Sequence, residues 1–231
     1  MSLRHPICSL VNELPPDRVV DYAWDEQHVR RYFYFAEKVE FETLGKLTHS
    51  ANMALAIAVT EWIGAWLSPF SFDKTLGDYI EAGWAALLDR DNTEYFRIVD
   101  NDWRGPVLGP TAIALGIINE IFFESYDEQR MAFRSCYALN LARHVMRKNG
   151  VVEVSFQSWV EGVKARLDQF HSWSVDGTPP PSILDPEFPK GRLVPREAFD
   201  LDRPYDPEMG PALLQELTRQ ILPQNLFFHK S

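Results

Sequence analysis

Apolar positions along this chain follow three patterns, and each predicts a different kind of element. The first is an unbroken run. Residues 51–70, ANMALAIAVTEWIGAWLSPF, and 109–123, GPTAIALGIINEIFF, are almost purely apolar, each with one carboxylate near its end, Glu61 and Glu120. A helix that is apolar all round is a buried helix, so these two define the middle of the fold as the paired inner helices of two hairpins. Ser68 and Pro69 end the first run, because proline cannot continue the helical ladder. Pro110 opens the second as a favourable first-turn residue.

The second pattern is a helical period. Asp25 can cap a helix running to about Lys46, with Val29, Phe33, Ala36, Val39 and Leu47 on its apolar face. Within it the run Tyr32, Phe33, Tyr34, Phe35 spreads aromatics around the helix, so more than one side is covered. Thr75 and Asp78 resemble a capping box that opens a helix with the face Leu76, Ile80, Gly83, Leu87. A short helix over 93–99 follows, and then a turn at NDWRGP, 101–106. Ser125 and Glu128 match a capping box. The helix they open has the stripe Phe133, Tyr137, Leu141, Val145. It stops at Asn149-Gly150, with Arg147 and Lys148 in its last turn, where cations suit the dipole and glycine the left-handed cap. After Ser155 comes the cleanest stripe of all: Phe156, Trp159, Val163, Leu167, Phe170.

The third pattern is punctuation by proline. Pro179, Pro180, Pro181, Pro186, Pro189, Pro195, Pro204 and Pro207 exclude helix and central strand from 175–210. Between them lie the apolar anchors Ile183, Leu184, Phe188, Leu193, Val194, Phe199 and Tyr205. This is the pattern of an extended arm packed over a helical body, ending in a short helix with the stripe Leu213, Leu214, Leu217, Ile221. The whole reads as an all-α fold, a single-domain bundle or a set of stacked helical hairpins of about seven to eight helices. Residues 1–174 are the body, with an irregular proline-bearing N-terminal arm, and 175–231 the proline-rich arm and terminal helix of the same domain. A weak internal repeat supports hairpins. Glu61 and Glu120, Phe72-Asp73 and Tyr126-Asp127, and Trp84-Ala85 and Tyr137-Ala138 recur at separations of 59, 54 and 53 residues, an imperfect register.

Composition narrows the function classes. With 45% hydrophobic residues, 13% aromatic and seven tryptophans, the core is ample and most of the indoles belong in it. A net charge of −10 disfavours nucleic acid and anionic membranes as partners. The polar residues Asn52, Thr60 and Glu61 argue against a membrane span at 51–70. The first sixteen residues, MSLRHPICSLVNELPP, lack the apolar run of a signal peptide. Two cysteines, Cys8 and Cys136, are too few for a disulfide framework, which points to the cytoplasm.

No familiar catalytic, phosphate-binding or zinc spacing occurs, and no cofactor is implied. The nearest metal patterns, Asp25-x-x-His28 and Asp168-x-x-His171, have short carboxylates and no glutamate partners, and read as surface pairs. Two constellations remain. Buried carboxylates on neighbouring helices could share a proton or hold a cation. Glu61 and Glu120, with His49 or His144, therefore form an enzymatic alternative. Against it, an arginine, a Trp N–H or a Tyr hydroxyl would neutralise each carboxylate, with Arg134 and Arg143 as candidates. The second constellation is a docking surface. Asp89, Asp91, Glu94, Asp100 and Asp102 cluster around Tyr95, Phe96 and Trp103, with Arg104 closing the turn. Carboxylates beside exposed aromatics suit a basic protein partner. The competing reading is a solvated edge with Trp103 tucked inward. The expectation is a non-enzymatic binding module, of the immunity or adaptor kind, docking a basic partner through this acidic face.

Overall fold

A computed structural model describes residues 14–15, 18–99, 102–123, 128–147, 150–180, 189–221 and 223–229. Among them are nine α-helices and no strand: α1 Arg30–Phe33, α2 Lys38–Leu44, α3 His49–Leu67, α4 Thr75–Ala86, α5 Gly105–Phe123, α6 Glu128–Met146, α7 Val151–His171, α8 Trp173–Asp176 and α9 Gly210–Gln220. The fold is the all-α bundle that the hydrophobic pattern implies.

Helix α3 is the axis of the molecule, with every residue except Gly64 buried. Both its ends are satisfied from far away in sequence. At the start, the Thr48 hydroxyl accepts the Ala51 N–H and the Ser50 N–H donates to the Lys190 carbonyl at 2.9 Å. At the end, the Arg18 guanidinium donates to the carbonyls of Ala65 at 2.8 Å and Trp66 at 2.9 Å. These are the groups a helix leaves unpaired at its termini. Helices α4, α5 and α6 surround α3, and its most extensive packing is against α6. The inner position is thus not shared evenly by the two apolar runs. Both α3 with its following turn and α5 are long and apolar enough to cross a membrane, but 78% of the first and 56% of the second is buried inside the protein. Helix α5 leaves Ala112, Ile113, Gly116 and Glu120 half-buried.

Helix α5 begins at Gly105, five residues before the start its sequence suggests, and Pro110 lies inside it. A proline within a helix leaves the carbonyl four residues back without its donor. Here that carbonyl is Pro106 O, and the Tyr22 hydroxyl donates to it. Gly109 is also required, because a Cβ there would meet the Trp24 indole.

The aromatic stretch at 32–35 is not one long helix. Helix α1 ends at Phe33 and α2 starts at Lys38. The break is held by Asn140 of α6, whose amide donates to the carbonyls of Phe33 at 3.3 Å and Phe35 at 2.8 Å. Asp25 caps only a turn, accepting the Gln27 N–H at 3.0 Å. At α4 the expected box is displaced by two residues, because Asp73 rather than Thr75 caps, accepting the Thr75 N–H at 2.7 Å. The Ser125–Glu128 box lies outside the described residues. Helix α7 starts at Val151, earlier than its stripe requires, directly after Gly150 at φ +40°.

The arm packs on the body as its apolar anchors imply. Val194, Ala198 and Phe199 are fully buried, and Leu193 and Tyr205 pack partly against the core. Ile183, Leu184 and Phe188 lie outside the described residues. Prolines supply carbonyls without N–H groups, so the arm draws its donors from α7. The Arg166 guanidinium donates to the carbonyls of Ala198, Asp200, Leu201 and Arg203 at 2.7–3.3 Å. The Trp159 indole donates to Phe199 O at 3.0 Å.

Candidate functional site

The segment 93–99 is extended, against its expected helix. Thr93, Ile98 and Val99 are β-branched and Tyr95 and Phe96 aromatic, types that favour extended backbone when tertiary partners are present. The partners come from α4 and α5. Asn119 faces Phe96 like one rung of a neighbouring strand. Its Oδ1 accepts the Phe96 N–H at 3.0 Å, and its Nδ2 donates to the Phe96 carbonyl at 2.7 Å. The Tyr79 hydroxyl bonds both Asn119 Oδ1 and the Glu94 carbonyl, the latter at 3.1 Å. At the start of the segment, the His229 N–H donates to Asn92 O at 3.0 Å, and Thr93 and Phe228 form an antiparallel bridge.

These bonds have a parity. The peptide groups of residues 92, 94 and 96 turn toward the body and the C-terminal segment. Those of Tyr95 and Arg97 turn the other way and have no partner among the described residues. Successive peptide groups of an extended chain point to opposite sides, so this is strand geometry with one side taken and one side open. The side chains divide similarly. Phe96 packs edge-on against Trp103 and Phe227, whereas Tyr95 is 54% exposed and Val99 50% exposed, with Arg97 exposed between them.

Charge surrounds this edge. Asp89 is spent on local structure, accepting the Asp91 N–H at 3.0 Å to cap the 3-10 turn Arg90–Asn92. Asp91, Glu94 and Asp102 are exposed, and Glu94 lies 3.3 Å from His229 Nε2. Asp100 lies outside the described residues. Trp103 is half-buried, and Arg90, Arg97 and Arg104 are exposed among the carboxylates. The surface is therefore mixed, with acids at its ends and a cation in its middle.

The four acid–base candidates do not converge. Glu61 is fully buried in α3 and paired with Arg196, which reaches in from the 3-10 turn Arg196–Phe199 of the arm. Arg196 Nε donates to Glu61 Oε2 at 3.1 Å, its Nη2 donates to Oε1, and the Trp84 indole donates to Oε2 at 3.2 Å. Burial pushes the Glu61 carboxyl up to about 7, with the Arg196 charge and these hydrogen bonds pulling against it. Glu120 is partly exposed and paired with Arg134 at 2.7 Å. Arg143 serves Glu40 instead, at 2.7 Å. His49 stands at the first residue of α3, about 18 Å along the axis from Glu61 at the usual helical rise. His144 is enclosed by Tyr22, Trp24 and Tyr32, stacked on Tyr32 at 4.1 Å, with Nε2 donating to Ala23 O at 2.9 Å. Burial lowers its pKa.

Among the described residues no group of three or more His, Cys, Asp or Glu side chains could hold a metal ion. His28 and Asp25 form an exposed pair at 2.9 Å. His171 is no surface residue: it is buried, and its Nε2 is 2.6 Å from the Tyr205 hydroxyl of the arm, while Asp168 is exposed.

Sequence reasoning missed Asn119, Tyr79 and Arg196. For Asn119 a signal was present, since an amide beside Glu120 in an otherwise apolar helix needs buried partners. Arg196 carried none, because its partner lies 135 residues away. Fold and site together define an all-α bundle that displays one extended, half-partnered segment. No protein-family model, curated protein or solved structure matches this chain.

Proposed function

We propose that the chain is a non-enzymatic protein-binding module, working as an immunity or adaptor protein does, and that it docks a basic partner through the surface built by 89–104. The supporting observation is the outward side of 93–99. Tyr95, Arg97 and Val99 stand exposed on a backbone anchored from behind by Asn119, with Asp91, Glu94 and Asp102 at its margins. A rigid platform loses little freedom on binding, and aromatic contacts ringed by charge are a common docking chemistry. The net charge of −10 steers a basic partner toward the molecule. A reducing interior such as the cytoplasm suits this reading, with Cys136 a buried thiol pushed up to about 12 by burial and so unreactive.

The test is capture from native lysate at low and high salt, using the wild-type chain and a Glu94→Lys/Asp102→Lys variant. Charge-steered docking weakens as salt rises, and the double reversal should lose the captured partner. A partner retained equally by both proteins at both salt concentrations would refute the proposal.

A further inference from the structure

We infer that the partner is held by strand addition: an extended segment of a basic protein lies along 95–99 and bonds the open peptide groups of Tyr95 and Arg97. This rests on the reading of 89–104 as the docking surface. An extended chain carries one donor and one acceptor per residue, so the two outward residues offer two N–H and two C=O groups in ladder spacing. The same stretch already accepts a strand on its other side, where the segment around Phe228 pairs with Thr93. Its backbone is therefore shaped for a ladder.

Charge selects the occupant. Asp91 and Glu94 lie at one end of the edge, Asp102 beyond the other, and Arg97 in the middle. Opposite charges across a strand pair stabilise it and like charges oppose it. The complementary segment therefore carries lysine or arginine at both ends and a carboxylate or neutral polar residue facing Arg97. Apolar or aromatic residues complete it, placed to meet Tyr95 and Val99.

The test begins with a displayed library of random twelve-residue peptides selected against the full chain. The best peptide, made synthetically, is titrated against wild type, Arg97→Pro and Glu94→Lys/Asp102→Lys, and amide exchange at Tyr95 and Arg97 is followed with and without it. Proline removes the Arg97 N–H and is tolerated where that N–H faces solvent, so binding should fall about tenfold or more with the melting temperature preserved. A peptide methylated on alternate backbone nitrogens gives the same reading without altering the protein. Selected peptides with basic ends, slowed exchange at both amides and loss with Arg97→Pro support the inference. Peptides that bind without protecting either amide and ignore Arg97→Pro overturn strand addition. If those peptides still fail on the charge-reversed double variant, acidic docking survives without it. A free chain that dimerises through this edge, its dimer abolished by Arg97→Pro, makes a second copy the occupant and overturns the basic-segment assignment. An empty selection with a monomeric chain also overturns the inference, leaving the docking surface to the lysate experiment.

Discussion

Glu61 and Glu94 belong to regions built from the same materials, carboxylates, arginines and aromatic rings, yet with opposite relations to water. Around Glu61 every oxygen is matched: Arg196 and the Trp84 indole close on it, and no part of the residue is exposed. Around Glu94 only the inner side is matched, by Tyr79 and Asn119, and the outer peptide groups at Tyr95 and Arg97 stay open. The first region ties the arm to the central helix. The second is held from behind and left unfinished in front. A buried ion pair is weak evidence for stability but costly to break, whereas an open edge costs nothing in water and gains only when another chain arrives.

The largest effect that would sharpen this contrast is on the sealed side. Arg196→Met leaves Glu61 buried without its cation and should destabilise the chain by about 3–5 kcal/mol. Adding Glu61→Leu should recover most of that loss, as read from denaturant midpoints. A double variant no more stable than Arg196→Met would show that the pair is not what holds the arm.

Acid should loosen the arm at a second point. Burial lowers the His171 pKa from 6.5 to about 4. The unfolded chain then binds the proton more readily than the folded one between those values. The contribution of His171 is full above pH 6.5 and is lost as pH falls toward 4, up to roughly 3 kcal/mol for such a shift. The stability difference between wild type and His171→Gln should shrink by that order from pH 7.5 to 4.5. Glu61 has the opposite sign: its raised pKa gives a contribution present below about 4.5 and lost as pH rises through about 7. Equal pH slopes in wild type and His171→Gln would contradict the assignment.

On the open side, Asn119→Leu removes the only printed partners of the Phe96 peptide groups and should cost about 1–3 kcal/mol. Amide exchange across 95–99 should accelerate with it. The smallest effect is the most discriminating. Glu94→Lys should leave the unfolding midpoint unchanged, since surface substitutions away from structural features rarely matter for stability, while weakening capture of a basic partner. A clear drop in melting temperature would mean that Glu94 belongs to the fold rather than to the docking face.

The helical plan was legible because burial of α3 and the stripes of α4, α6 and α7 are written locally, residue by residue, in hydrophobic spacing. Glu120 and Arg134 were legible for the same reason, as neighbouring hairpin helices bring them together. The breaks were not. Tyr34 to Glu37 leave the helical path because Asn140, more than a hundred residues later, holds their carbonyl neighbours, and 93–99 is extended because Asn119 and Tyr79 pair its backbone. In each case one buried amide overrides local propensity, and amides have no periodicity to announce them. The four acid–base candidates shared a chemical type, but residue type along the chain carries no information about whether side chains meet.

The bond from Tyr22 to Pro106 has a consequence in time. Helix α5 has a gap in its ladder at Pro110, and the hydroxyl that fills it belongs to a segment made much earlier. During synthesis from the N-terminus, the donor leaves the ribosome some eighty residues ahead of its acceptor. The flaw in the later helix therefore meets its repair already waiting, and that helix cannot reach its final form until the early segment has been laid against it.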